Sequence, residues 1–301
     1  ADKYEKITSS LNMISAISSI TNKIQLSSLT TNLTFYNPSV LASHISLVDN
    51  MCKGRLKLGI GSGSNISDVE SVNLLENDNR SRMIEILEII KKLFKSKNLV
   101  NLKTKNFKVS TMRKGNKDLG LGYYNSLYKS RNNLEIVIPA LNPNSGNVKN
   151  AAKNKWSIVI SNFCSKDVVK NHVENYISSS PLNRANALKK IKLARFIFVS
   201  NKRGFIKNLF KKNSPHMGVL RTIHTKLSHY KRLNCFGSDK DLDLKFLAKK
   251  LFIYGNQKEV SKQINDLKSE VGKIDTIIYT HVPMVKNNNF NNSLKLFSKC
   301  N

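Results

Sequence analysis

The stretch Met51–Asn65, MCKGRLKLGIGSGSN, runs from a charged turn through an alternating apolar run into a loop of small residues. A dinucleotide fingerprint needs G-x-G-x-x-G, with a helix opening at the third glycine so that its N–H groups meet a pyrophosphate. Counting from Gly59 puts Ser64 where the third glycine belongs, and counting from Gly61 puts Ile66 there; no G-x-x-x-x-G-K-[ST] run occurs anywhere. Rossmann and Walker readings are therefore excluded. What remains is a strand, Arg55 to Ile60, whose C-terminal end opens into residues small enough for a ligand to approach the backbone. A plain strand-to-loop turn accounts for the same glycines, and the local sequence leaves both readings open.

Outward from this strand, short β-branched runs alternate with stretches of helical period, the pattern of βαβ units around a parallel sheet. The expected strands are Lys23–Leu29, Arg55–Ile60, Leu134–Ala140, Trp156–Ser161, Ala194–Ser200 and Ile274–Thr280. Asn37-Pro38 supplies an N-cap and a first-turn proline, after which Leu41, Ile45 and Val48 share a helix face. A second helix is expected from about Arg80, with Met83, Leu87, Ile90 and Phe94 on one stripe. A third starts with Asn256 and Glu259 in capping-box spacing, followed by Val260, Ile264, Leu267 and Val271. Two segments break the alternation. Leu102–Val109 reads as a small hairpin outside the main sheet, and Lys202–Lys249 as a helical insertion carrying His216, His224 and His229, of the kind that covers a ligand-binding mouth. The histidines are eight and five residues apart, which does not place them on one helix face, so no metal site is expected.

The bulk properties bound the class. At 301 residues the chain suits one α/β domain, here 1–301. The formal charge of +30 would suggest a nucleic acid or an anionic membrane. Only 10 of the 50 basic residues are Arg, however, and Asn reaches 38. The lysines are scattered rather than gathered with Arg and aromatic side chains into one phosphate-reading patch, so neither partner is expected. Cys52, Cys164, Cys235 and Cys300 lie far apart without C-x-x-C spacing, which argues against a zinc site or disulfide framework and for a reducing, cytoplasmic compartment. No run approaches the ~18 apolar residues of a membrane span.

The run Asn37–Gly63, NPSVLASHISLVDNMCKGRLKLGIGSG, resembles the bacterial luciferase-like flavin monooxygenase family, through Asn37-Pro38, Ala42, Val48-Asp49, Gly54-Arg55 and Gly59, Gly61, Gly63. Thr21-Asn22-Lys23-Ile24, Arg80 with Met83-Ile84-Glu85, Pro139 to Ser145, Gly255 with Val260, Gly272 with Asp275-Thr276, and Ser293 to Phe297 are similar to further family segments. The resemblance implies an α/β fold of TIM (β/α)8-barrel type with a helical insertion before the last strand. The six strands then correspond to the family's third to eighth, the first two being unmatched, and the exposed edges of an open barrel imply a homo-oligomer.

The same resemblance implies a monooxygenase that uses reduced flavin and O2 to oxygenate a small organic, hydrophobic substrate, with a flavin reductase supplying the reduced cofactor. FMN is the expected cofactor, and the deazaflavin of some relatives is the alternative. Gly61, Ser62 and Gly63 fall on the loop that helps hold the flavin phosphate, with Arg80, Asn142 and Ser145 on the same phosphate side. Many relatives carry Arg at the position of Ser62, where a guanidinium grips phosphate bidentately; Ser62 donates one neutral hydrogen bond. Asn142 replaces a serine, and Arg82 is a substitute for Arg80. No residue matches the family's catalytic segment, so no catalytic residue is assigned, and a non-catalytic flavin-binding or partner subunit of the same fold is the competing reading.

Overall fold

Residues 9–63, 65–124, 134–221 and 244–300 are described by a computed structural model, in two units, Ala1–Pro139 and Ala140–Asn301. In the first unit α2 (Pro38–Met51) starts as its sequence predicts: the Asn37 side chain accepts from the Ser39 N–H, and Pro38 occupies the first turn. Leu41 and Ile45 are fully buried and Val48 nearly so, each contributing about 1.5–3 kcal/mol relative to exposure. β3 (Leu56–Gly61) is the central strand. It pairs in parallel with β1 (Leu26–Ser27), β2 (Thr31–Asn32) and β6 (Glu135–Ala140), in registers Leu26↔Leu56, Thr31↔Ile60 and Leu58↔Ile136. Lys57 and Glu135 add a cross-strand ion pair at 3.2 Å.

Arg55, just before β3, is a staple. Its guanidinium donates to the carbonyls of Cys52, Ser18, Thr21 and Ile24 and to the Thr21 hydroxyl. It thus ties the end of α2 to the segment after α1 (Ser10–Ser19). The left-handed turn that delivers it uses Lys53 (φ 52°) and Gly54 (φ 74°). Beyond β3 come α3 (Ile66–Ser71) and α4 (Asn79–Lys95), which buries Met83, Leu87 and Ile90. The expected hairpin forms from β4 (Asn101–Lys103) and β5 (Lys108–Ser110) as a separate antiparallel pair.

One expected strand differs. Lys23–Leu29 does not run as a single element but as the short β1 and β2, with 28–30 between them. There the Ser28 hydroxyl donates to the Gly59 carbonyl and accepts from its N–H, at 3.0 and 3.2 Å. A side chain takes the ladder's place, and a run of β-branched and polar residues does not announce that exchange.

In the second unit β8 (Ile191–Val199) is the spine. All its partners are parallel: β7 (Ser157–Ile160), β9 (Phe252–Gly255) and β10 (Thr276–Tyr279), in registers Ile158↔Ile191, Phe196↔Phe252 and Thr276↔Lys192. Around them lie α5 (Gly146–Lys153), α6 (Lys166–Ser179), α7 (Arg184–Leu188), α8 (Phe205–Leu209), α9 (Leu244–Leu251), α10 (Gln257–Glu270) and α11 (Asn287–Phe297). α10 carries the full capping box of Asn256 and Glu259. The sequence reading passes over β9, which lies between the insertion and β10. It continues directly from α9, and a buried run as short as Phe252–Gly255 is indistinguishable by period from a further helical turn. Of the insertion, α8, a 3-10 turn at Pro215–Met217 and α9 are described; His224, His229 and Cys235 lie outside the described residues.

Candidate functional site

The expected site residues fall in both units, and each group is described within its own. In the first unit Gly61 ends β3, and Ser62 and Gly63 follow it, all half-buried. Their smallness is used by the unit's own packing. A Cβ on Gly59 would overlap the Ser28 carbonyl, and one on Gly61 would lie 2.7 Å from Thr30 Oγ1 and 2.8 Å from Asn32 Oδ1. One on Gly63, which sits at φ +80°, would meet the Phe35 ring at 2.9 Å. The Ser62 carbonyl accepts from the Thr34 hydroxyl at 3.0 Å. Its own hydroxyl has no partner among the described residues.

Arg80 is exposed in the first turn of α4. The N-terminus of that helix already carries an anion: Asp78 accepts from the Ser81 N–H at 3.1 Å and from the Ser81 hydroxyl at 2.6 Å. The Ser81 bonds hold the Asp78 carboxyl below its ordinary value. A carboxylate there takes the place that the helix dipole would otherwise offer to a phosphate. Arg82, the substitute, lies with its guanidinium 4.8 Å from the Phe107 ring centre and is committed to the hairpin side.

In the second unit Asn142 and Ser145 belong to the turn from β6 into α5. Ser145 is the N-cap of α5, yet its side chain makes no capping bond, and the first turn holds no acidic residue. Asn142 is exposed, and its amide has no partner among the described residues. The turn between them is nevertheless fixed. Asn144, at φ 54°, donates its N–H to Asn171 Oδ1 while Asn171 Nδ2 donates to Asn144 Oδ1, both at 2.9 Å. The Cys164 thiol lies 3.3 Å from the Leu141 carbonyl. A rigid turn thus presents two neutral donors beside the N–H groups of Gly146 and Asn147 at a helix start, the Val148 N–H being bonded to the Ser145 carbonyl, and this is the kind of donor set an anion uses.

Two features escaped the sequence reading. His172 sits on the apolar stripe of α6, fully buried, and among the described residues neither ring nitrogen has a partner within hydrogen-bond distance. Burial pushes its pKa down, the Leu141 carbonyl pulling the other way. Arg195, in the middle of β8, is 2% exposed and has no carboxylate partner among the described residues. Its guanidinium donates to the carbonyls of Ser161, Ala194 and Cys164 at 3.0–3.3 Å, and burial pushes its pKa down to about 10. The signal for each was a polar residue breaking an apolar stripe, which by itself marks either a buried hydrogen-bonding group or a site. His216 packs edge-on to Phe198, with ring centres 4.9 Å apart, and its Nδ1 lies 3.2 Å from the Ser214 hydroxyl. Among the described residues no three His, Cys, Asp or Glu gather as a metal site, and no helix is long and apolar enough to cross a membrane.

Residues 1–114 match the family model described as luciferase-like monooxygenase. The chain is 24% identical over 288 residues to 2,5-diketocamphane 1,2-monooxygenase 2 of Pseudomonas putida, covering 88% of this chain and 76% of that protein. Among solved structures, the oxygenating constituent of 3,6-diketocamphane monooxygenase from Pseudomonas putida, in complex with FMN, superposes with a TM-score of 0.84 at 20% identity, over 100% of this chain and 85% of that one. An F420-dependent secondary alcohol dehydrogenase superposes with a TM-score of 0.68 at 13% identity, over 99% and 86%. The parallel α/β fold is that of the TIM-barrel enzymes of this group.

Proposed function

We propose that this chain, which resembles the luciferase-like monooxygenases over residues 1–114 and the diketocamphane monooxygenases over most of its length, is a member of that family, that it binds a reduced flavin and oxygenates a small hydrophobic molecule, and that the start of α5 holds the flavin's phosphate. The observation that carries this reading is the uncapped N-terminus of α5: a Ser145 hydroxyl without a capping bond, no acidic residue in the first turn, and the unpartnered Asn142 amide beside it. These groups fit a phosphate, and an acidic cap of the Asp78 kind would not. The resemblance assigns Gly61, Ser62, Gly63 and Arg80 to the phosphate side as well, and Ser62 is the residue by which that assignment is tested.

When bound, a reduced flavin would supply the electrons for O2 activation. This chain's own part is to bind and orient. Ser145 and Asn142 donate hydrogen bonds to an anionic oxygen, and the Asn144–Asn171 pair keeps them in place. FMN is favoured over a deazaflavin by the FMN-bound neighbour that covers the whole chain at the higher TM-score. The same neighbour is described as an oxygenating constituent, which fits a separate flavin reductase as supplier of the reduced cofactor. A second reading, a flavin-binding subunit without oxygenation of its own, is favoured by the neutral Ser62 at a position where the resemblance implies a guanidinium in many family members.

The test is flavin titration by fluorescence quenching, with FMN and riboflavin in parallel to isolate the phosphate. Ser62→Arg is expected to tighten FMN by about 1.5–3 kcal/mol, roughly ten- to a hundredfold, and to leave riboflavin unchanged. Ser62→Asp is expected to weaken FMN. If neither substitution moves FMN binding, Ser62 is a turn residue only. If the unmodified chain binds FMN no better than riboflavin, the phosphate reading fails as a whole.

A further inference from the structure

Within the second unit, the turn that carries Asn142 and Ser145 is joined to the segment from the 161–165 loop into α6. The Ser161 N–H donates to the Ala140 carbonyl at 2.9 Å. The Cys164 thiol donates to the Leu141 carbonyl at 3.3 Å, with the Ala140 carbonyl 3.8 Å from the same sulfur. Asn171, on the helix that this loop starts, makes the paired amide contact with Asn144. The Leu141 carbonyl also acts on the buried His172, but neither ring nitrogen has a partner within hydrogen-bond distance among the described residues. The thiol is thus the side-chain donor that holds this carbonyl. Arg195 fixes the loop in turn. Its guanidinium donates to the Ser161 and Cys164 carbonyls at 3.3 and 3.1 Å, and the Cys164 N–H closes the turn onto the Ser161 carbonyl at 3.1 Å. A buried cation satisfied only by carbonyls costs more desolvation than an apolar side chain of similar volume, so the donors of Arg195, rather than its packing, account for its place.

We propose that Cys164 is a positioning residue for the phosphate turn: its thiol, set in place by Arg195 through the 161–164 loop, orients the Leu141 carbonyl and with it the peptide that aims the Asn142 amide and the Ser145 hydroxyl. The inference rests on the reading of the α5 start as the phosphate site and adds the residues that make that turn competent. A thiol is a weak donor, so its contribution is to orientation more than to stability. The planar fork of a guanidinium reaches two carbonyls at once, which an ammonium does not reproduce. Loss of either residue should therefore reach the ligand through the turn, and the two losses should overlap.

Two measurements on the same variants test this: titration with FMN and riboflavin, and hydrogen exchange of the flavin-free chain. Cys164→Ala is expected to weaken FMN about three- to tenfold and to leave riboflavin unchanged, with faster exchange between Leu141 and Asn147 and unchanged exchange in α10. Cys164→Ser, which keeps a hydroxyl donor at the same place, should restore both readouts. Arg195→Lys should weaken FMN at least as much as Cys164→Ala, and the double variant no further than Arg195→Lys alone, because both act through one contact; the Cys164 pair carries the test should the lysine variant not fold. A purely structural role would lower FMN and riboflavin together and would not be rescued by serine. An FMN preference that survives Cys164→Ala, a parallel loss of riboflavin, a failed serine rescue or additive losses in the double variant overturns the proposal and leaves the flavin reading standing. If the unmodified chain binds FMN no better than riboflavin, the flavin reading fails, and exchange alone decides the positioning: loosening of the turn in Cys164→Ala that serine reverses upholds it, and unchanged exchange overturns it.

Discussion

The two turns that follow β3 and β6 look alike in sequence, each a strand running into small and polar residues, but they are built to opposite ends. After β3, the absence of side chains is used internally: the space beside Gly59, Gly61 and Gly63 is filled by Ser28, Thr30, Asn32 and Phe35. After β6, the backbone is fixed by Asn171, while Ser145 and Asn142 keep their side chains free. A glycine-rich motif can therefore mark close packing, whereas free donors on a braced turn mark readiness for a ligand. The first kind of turn should fail by unfolding and the second by losing affinity.

The largest effect expected is at Gly59. A methyl group there meets the Ser28 carbonyl, which the chain cannot rotate away, so Gly59→Ala should cost about 3 kcal/mol or more in urea denaturation. A loss below about 0.5 kcal/mol, the range of an ordinary surface change, would show that the β3 turn is not held by packing.

A smaller effect separates the turns by pH. In the second unit, burial lowers the pKa of His172 from its ordinary 6.5. Its contribution to stability is complete above that value and is lost as the pH falls through the depressed folded value. Burial lowers His216 in the same direction. In the first unit the shifted groups are carboxyls. The Ser81 bonds lower Asp78, and for Glu85 the opposing effect of burial is outweighed by hydrogen bonds from Thr104 and Asn106. Their contributions are present above the ordinary 3.8 and 4.5 and are lost only as the pH falls through lower, folded values. Hydrogen exchange between about pH 7 and pH 5 should thus show α6 loosening before α4, and His172→Leu should reduce that difference. Simultaneous loosening would contradict the assignment.

The smallest effect is a null. A serine N-cap is typically worth about 1 kcal/mol, but Ser145 makes no capping bond, so Ser145→Ala should leave stability within about 0.5 kcal/mol of the unmodified chain. A full cap-sized loss would mean that the hydroxyl serves the helix.

Much of this comparison was legible in the sequence, and the parts that were not have physical reasons. Asn37-Pro38, the Asn256/Glu259 capping box and the stripe Met83, Leu87, Ile90 are local signals, and they form the helices expected of them. β9 was hidden because four buried residues carry no period, and the break between β1 and β2 because a serine side chain replaced a ladder bond. For the candidate site, the residues could be named from the resemblance, but not their condition. That Gly61 faces Thr30 and Asn32, that Arg82 lies against Phe107, and that Ser145 is an unused cap all depend on contacts between segments distant in sequence or on one side-chain rotamer. Arg195 shows the same limit. Within IKLARFIFV it reads, like Lys192, as a cation in a strand, and only the structure shows three carbonyls solvating it.

The most direct test of the phosphate assignment is Ser145→Asp. Aspartate is as good an N-cap as serine, so the helix should hold, while a carboxylate now occupies the place proposed for the phosphate. Titrated side by side, FMN should bind about tenfold or more weakly than to the unmodified chain, riboflavin should bind as before, and the urea midpoint should not fall. FMN binding that is unchanged, or that falls only in step with riboflavin, would contradict the account.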